Sequence, residues 1–247
     1  MKRYGNLYAE ICSFDNLYSA WQKARKSKPN SLDVIRFGYN LEDNLLAIQK
    51  DLVQGLYQPG EYRRFMVFDP KPREIWAPGF RDRVIHHALC TVIEPIFERV
   101  FIDDSYACRK NKGTHKGVLR LSHFLQNPAN RYCLKCDITK YFLSIDHRIL
   151  MALIKRKIKD QQVLWLISRI LKSNHQEKGI PIGNLTSQLF ANIYLTQLDY
   201  FVKHTLKSRY YIRYVDDFVV LAEDNKTLEF GREKIRNFLN GELNLDL

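Results

Sequence analysis

The chain has 247 residues, of which 45% are hydrophobic and 13% aromatic, enough apolar surface for a proper core in one large domain or two small ones. Its 39 Lys and Arg outnumber 27 Asp and Glu to leave a net charge of +12, an excess that favours polyanionic partners, with nucleic acid ahead of an anionic membrane surface. No run approaches the roughly 18 apolar residues of a spanning helix, polar residues interrupt the opening MKRYGNLYAEICSFDNL where a signal peptide needs an apolar stretch, and five scattered cysteines suggest no disulfide framework. These features predict a cytoplasmic protein with no membrane partner.

Residues 15–55 read as helices with a break at KSKPNSLD, where Pro29 and Asn30 interrupt the pattern and Ser31 is placed to cap the next helix. EYRRFMVFDPKPREIWAP has strand-like residues on both sides of Asp69-Pro70-Lys71-Pro72, a hairpin signal with basic residues around its tip. In RDRVIHHALCTVIEPIFERVF, Val84, Ile85, Ala88, Leu89, Val92, Ile93 and Ile96 recur at helical spacing and predict a core helix. Its doublet His86-His87 reads as packing rather than ligation, because adjacent helix positions diverge.

SYACRKNKGTHKGVLRLSHFL passes from a basic loop into a helix near Gly113 and Thr114, and RYCLKCDITKYFLSI alternates as a strand that turns at Asp137. The CLKC spacing of Cys133 and Cys136 nominally suits zinc, yet no second Cys pair accompanies it and the period of a strand sends the two side chains to opposite faces. Helices are expected across 148–172, then a Gly/Pro loop in KGIPIGN, a helix from Leu185 to Thr205, two strands in YIRYVDDFVVLA and a last helix in KTLEFGREKIRNFL. Helices and strands are interspersed without regular βαβ alternation, so an α+β fold built on an antiparallel sheet is the natural class.

Asp216 and Asp217 interrupt the β-branched and aromatic run Tyr211–Ala222. Two readings stand side by side: a hairpin turn, which Asp favours through hydrogen bonds to its own backbone, or a metal site. If the strand ending at Asp137 neighbours that hairpin, three carboxylates converge at one sheet edge, and like charges so placed need cations to remain ionised. Two Mg²⁺ ions suit such hard oxygen donors and serve in-line phosphoryl transfer.

The segments carrying these residues resemble a known family. YVDD within hydrophobic strands looks like the catalytic hairpin of reverse transcriptases, CDITKYFLSIDH like their other catalytic segment, and GIPIGNLTSQLFANIYL like the segment between. REIWAPGFRDRVIHHAL and SYACRKNKGTHKGVL resemble the fingers segments of the bacterial, group II intron-like branch. The matches run in the expected order from about residue 64 to 222. The variant Pro181-Ile182-Gly183 and Ser187-Gln188, where most of that branch has Pro-Gln-Gly and Ser-Pro, is similar to reverse transcriptases of diversity-generating retroelements.

The resemblance implies a polymerase right-hand fold, with an N-terminal helical segment over 1–55, fingers over 56–130 interleaved with the palm, and the palm over 131–247. It implies that Asp137 and Asp216 bind both Mg²⁺ ions, with Mn²⁺ as a substitute, that Asp217 supports them, and that the Ile138 carbonyl is an extra ligand. Lys71 and Arg73 align with residues gripping the triphosphate, and Arg81 and Arg83 are alternatives that could instead pair with Asp82 or a helix end. Phe142 aligns with the residue beneath the incoming sugar, where an aromatic ring excludes a 2′-hydroxyl and selects dNTPs. Gly183 lets the backbone approach the nascent base pair, and Ile182 replaces a hydrogen-bonding Gln, an exchange expected to make copying error-prone opposite template adenines.

Arg109, Lys110, Lys112, Ser187, Gln188 and Tyr214 are the candidates for holding template and primer. The implied partners are a template RNA, an RNA-DNA hybrid held by shape and backbone, dNTPs and a small basic helical accessory protein. The sequence closes on NGELNLDL, leaving the thumb of the right hand absent or truncated and processivity low as an expectation. The alternatives are an intron-type or phage-defence reverse transcriptase, a non-catalytic nucleic-acid-binding palm module, and a metal-dependent nuclease.

Overall fold

The computed structural model describes residues 2–26, 28–68, 72–173 and 177–247. In chain order the elements are α1 (Tyr8–Ile11), α2 (Phe14–Arg25), α3 (Leu32–Tyr39), α4 (Leu41–Val53), β1 (Arg63–Phe68), β2 (Pro72–Ala77), α5 (Phe80–Glu98) and α6 (Thr114–Leu125). There follow β3 (Tyr132–Cys136), α7 (Tyr141–Ser144), α8 (His147–Lys155), α9 (Gln161–Lys172), α10 (Leu185–Tyr200), β4 (Tyr210–Tyr214), β5 (Asp217–Ala222) and α11 (Asn225–Leu243). The chain divides into two compact units, one comprising Met1–Phe97 with Met151–Leu189, the other Glu98–Leu150 with Phe190–Leu247. Among the described residues no helix is long and apolar enough to cross a membrane.

In the first unit α2 packs on α4, burying Leu17 and Ala20 from one and Leu45, Ile48 and Leu52 from the other. Each fully buried aliphatic side chain contributes on the order of 1.5–3 kcal/mol. Every apolar position anticipated on α5, from Val84 to Ile96, is buried. Asp160 fastens the chain's beginning to α9: its Oδ2 accepts from the amides of Leu7 and Tyr8 at 2.7 and 3.1 Å while its Oδ1 accepts from Gln162 and Val163 at 3.1 and 3.3 Å. A cap of this kind is worth about 1 kcal/mol. Ser31 stands at the N-cap of α3 as expected, but its hydroxyl accepts no cap bond and lies buried without a partner among the described residues, a correction to its capping role.

β1 and β2 form an antiparallel hairpin in which Arg64 faces Trp76 and Val67 faces Arg73. The loop before α10 lies against this hairpin, since the Trp76 amide donates to the Ile182 carbonyl at 2.9 Å.

The second unit is built on a three-stranded antiparallel sheet of order β3-β5-β4. On one face Ile212 and Leu221 pack with Tyr106 and Phe124 of the α6 side, and on the other Val220 lies opposite Leu134 and Tyr211 in a layer shared with α11. Burial on both faces is confined to β4 and β5, which read as nearly continuous apolar runs, while β3 at the sheet edge leaves Tyr132, Cys133 and Lys135 exposed. Cys133 is exposed and Cys136 buried, as the strand period requires, and both are free thiols. The helix expected to reach Thr205 does so, with its α-helical part ending at Tyr200 and the last turn, Phe201–Thr205, wound as a π-helix.

Candidate active site

The β3-β5 ladder sets Cys136 against Phe218, both facing the buried side. The β3-β5 ladder ends there, with Asp137 the next residue after β3 and Asp217 the first of β5, and the β4-β5 ladder closes on Tyr214 opposite Asp217. In an antiparallel ladder opposed residues share a face, so Asp217 and Tyr214 lie side by side, and Asp137 leaves β3 at the same end of the sheet; all three are exposed. Asp216 sits in the two-residue turn beside them and is half-buried. The three acids expected to converge thus stand at one end of one sheet.

The turn itself is strained. Val215, its first central residue, has φ of 57°, a region that a β-branched side chain enters only under constraint. The constraint is visible in Arg213, which is 1% exposed. Its Nε and Nη2 donate to the two carboxylate oxygens of Asp199, each at 2.7 Å, and its Nη1 donates to the carbonyl of Val215 at 2.9 Å and to Asn192 Oδ1 at 3.2 Å. Tyr211 adds a hydroxyl bond to Asp199 Oδ1 at 2.8 Å. Burial alone would pull the guanidinium pKa down, but the Asp199 carboxylate holds it above its ordinary value. The guanidinium therefore stays charged, and its bonds to Asp199 and Val215 clamp the hairpin tip to α10.

Below the tip lies α7. Its Tyr141 is buried and donates to the Ala191 carbonyl at 2.6 Å. Burial foremost pushes the Tyr141 phenol well up, with Arg213 acting against and Tyr194, Asp216 and Asp199 adding to the rise. Phe142 packs edge-on against Tyr141, with ring centroids 5.5 Å apart, and remains partly exposed. Ile138 is buried, and the amide of the next residue, Thr139, donates to the Asp246 carbonyl at 2.9 Å.

The remaining candidates divide. Arg73 is exposed on β2, Ile182 is half-buried, and Gly183 has φ of +118° with an ideal Cβ position only 2.9 Å from Ile75 Cγ2 and 3.2 Å from the Trp76 carbonyl oxygen. That close approach is a local reason for glycine. Lys71 lies outside the described residues. Arg81 binds Asp51 at 2.7 Å, and Arg83 lies over the Phe80 ring at 5.1 Å.

Arg109 is occupied by Glu98 at 2.6 Å and by the carbonyls of Ile102 and Ser105, while Lys112 pairs with Asp103 at 2.6 Å. Of the three basic residues expected near a template, Lys110 is the exposed one. Ser187 is buried, Gln188 is exposed, and the Tyr214 hydroxyl accepts from Thr114 Oγ1 at 3.0 Å. Arg213 and Asp199 were not anticipated; the signal available was a cation set among the apolar residues of YIRYVDD.

Among the described residues no three His, Cys, Asp or Glu side chains gather into a metal cage. Mg²⁺ rarely uses such a cage, being held by one or two carboxylates together with water and substrate phosphates. The exposed oxygen donors of Asp137 and Asp217, with Asp216 beside them, fit that mode of binding.

A three-stranded antiparallel sheet bearing an acidic hairpin beside a third aspartate, together with the β1-β2 hairpin, is the arrangement of a right-hand polymerase of the reverse-transcriptase type. The chain superposes on apo telomerase from Candida tropicalis with a TM-score of 0.56 at 14% identity, covering 75% of this chain and 48% of that one. Telomerase from Candida albicans, solved with a fragment of telomeric RNA, gives 0.52 at 10% identity over 78% of this chain and 42% of that one. Residues 69–246 match the family described as reverse transcriptase (RNA-dependent DNA polymerase), and the chain belongs to that family.

Among curated relatives, protein YkfC of Escherichia coli K12 is 28% identical over 82% of this chain and 65% of its own length. The group II intron-encoded protein LtrA of Lactococcus lactis subsp. cremoris is 32% identical over 81% of this chain and 35% of its own. The chain thus spans less than two thirds of either relative.

Proposed function

We propose that this chain carries the nucleotidyl-transfer centre of an RNA-directed DNA polymerase that copies a template RNA into cDNA. The observation that carries the reading is the ladder register that, by pairing Cys136 with Phe218 and Tyr214 with Asp217, brings Asp137, Asp217 and the turn residue Asp216 to one end of one sheet. Bound there, two divalent cations would lower the pKa of the attacking hydroxyl and neutralise charge on the leaving oxygen. Asp137 and Asp216 would hold the cations, with Asp217 and the Ile138 carbonyl in support. A primer 3′-hydroxyl attacks the α-phosphorus of a dNTP, the new P–O bond forms as the bond to the bridging oxygen breaks, and pyrophosphate leaves.

Following the family resemblance we assign Phe142 the exclusion of a 2′-hydroxyl and, in the first unit, Arg73 and Lys71 the offsetting of charge on the triphosphate and Gly183 the admission of the nascent pair. Primed RNA with Mg²⁺ and dNTPs tests the reading: the wild-type chain extends the primer and Asp216→Asn does not. Binding without extension by the wild type would mark a non-catalytic module, and primer loss without dNTPs a nuclease.

Within this reading the chain is a mutagenic, retroelement-type enzyme acting with a small basic helical accessory protein. Ile182 supports it, because an aliphatic side chain cannot supply the hydrogen bond of a Gln beside the incoming nucleotide, and discrimination based on polar complementarity weakens accordingly. Ile182→Gln should lower misincorporation opposite adenine when the products are sequenced, and an unchanged spectrum would count against the subtype.

A further inference from the structure

In the first unit a cavity of about 610 Å³ opens between the segment leading into β1 and the end of α9, lined among others by Tyr62, Arg64, Arg169, Lys172 and Ser173. Three cations face one carboxylate, Glu61. Arg64, Arg169 and Lys172 are all exposed, and none forms an ion pair among the described residues. Arg169 and Lys172 lie in the last turn of α9 and so complement its dipole, yet that role leaves their outward donors unused.

The cavity is pre-organised. Arg64 lies over the Trp76 ring at 3.8 Å, which holds the guanidinium by its face and leaves its in-plane N–H groups open to an anion. Its floor is a fixed polar chain in which Asn184 Nδ2 donates to the Tyr62 hydroxyl at 2.8 Å, Tyr62 meets Ser173 Oγ at 2.8 Å, and Ser173 donates to the Ile170 carbonyl at 2.6 Å. Asn184 is 1% exposed, its Oδ1 has no partner among the described residues, and it immediately follows Gly183. An occupant of the cavity therefore bears on the loop that carries Ile182 and Gly183.

Small-molecule pockets are mostly apolar with a few polar groups, whereas unpaired cations spread along an open polar groove suit a chain of phosphates. We propose that this cavity is a phosphodiester-binding subsite for single-stranded nucleic acid, engaged through Arg64, Arg169 and Lys172. The proposal rests on the polymerase reading and gives the template strand a grip that the loop bearing Arg109 and Lys112, with those cations already paired, supplies only through Lys110.

The test measures affinity of the full chain for a single-stranded RNA oligonucleotide, and for DNA of the same sequence, across a salt series. Arg169→Gln with Lys172→Gln changes two exposed side chains. It should weaken RNA binding about tenfold or more and reduce the slope of log K against log salt by about 1.4, from a coefficient near 0.7 per neutralised phosphate on a single strand. Arg169→Lys with Lys172→Arg should restore most of the affinity and the slope. Equal losses for RNA and DNA fit recognition of the shared backbone. An unchanged slope in the double Gln variant, with circular dichroism like the wild type, overturns the subsite while leaving the polymerase reading intact. Failure of the wild type to bind either strand overturns both, and loss of binding that the charge-preserving pair does not restore overturns the phosphate assignment.

Discussion

Arg213 donates to the carbonyl of Val215 at 2.9 Å while its other nitrogens grip Asp199, so an ion pair buried beneath the sheet holds the one residue of the hairpin turn whose backbone is strained. The acids at the sheet end depend on that hold for their placement. Removing one partner of a buried ion pair costs about 3–5 kcal/mol because the other charge is stranded. Asp199→Asn should show a loss of this order in urea unfolding. Arg213→Lys keeps the charge but loses the planar fork, and it should lower kcat for primer extension by more than it changes the KM for dNTP.

Asp216→Asn and Asp137→Asn each remove one of the carboxylates proposed to bind the cations, almost without changing side-chain volume. Extension should fall by at least about 10²–10³-fold, the range seen when one group that stabilises transition-state charge is lost. Affinity for primed RNA should remain near that of the wild type in a filter-binding assay. Equal losses of binding and extension would argue that the carboxylates serve folding.

A methyl group at position 183 meets Ile75 at 2.9 Å and the Trp76 carbonyl at 3.2 Å, on a backbone with φ of +118°. Left-handed backbone costs a residue with a Cβ roughly 1–2 kcal/mol, and the contacts add to that. Gly183→Ala should therefore lower the unfolding midpoint and raise the KM for dNTP together. A variant as stable as the wild type would show that the loop yields freely.

His86 on α5 is buried, and that burial foremost, with His87 adding, lowers its pKa to about 3. Its Nδ1 has no partner among the described residues. Between about pH 6.5 and 3 the unfolded chain binds a proton at this position that the folded chain refuses. Stability is thus fully present above pH 6.5 and falls as pH drops, by at most about 1.4 kcal/mol per unit for one group. His86→Phe should flatten that slope in chemical unfolding between pH 6.5 and 4, and an unchanged slope would place the acid sensitivity elsewhere.

Much of the fold was legible because periodicity reports burial. The helical spacing of Val84 through Ile96 gave α5 and its core face, and the alternation around Asp137 and Asp216 gave strands that pair in one sheet. The right-hand fold followed from the motif order. What stayed hidden was decided by partners far along the chain. Arg109 reads as a free basic residue until Glu98 and two carbonyls enclose it. Ser31 satisfies the local rule for a cap without making the bond. The split between α3 and α4 rests on the single non-helical residue Asn40, with Gly38 two positions earlier still inside α3. Arg213 and Asp199 are 14 residues apart and become a pair only when β4 lies against α10.

The central claim is that Asp137 and the doublet Asp216-Asp217 hold divalent cations in common. Crystals grown with primed template, a non-hydrolysable dNTP analogue and Mn²⁺ test it through anomalous scattering. Two peaks about 3.5–4 Å apart, bridged by oxygens of Asp137 and Asp216 and touching the triphosphate, are the expected result. Ions bound to the nucleotide alone, with those carboxylates turned away, would contradict it.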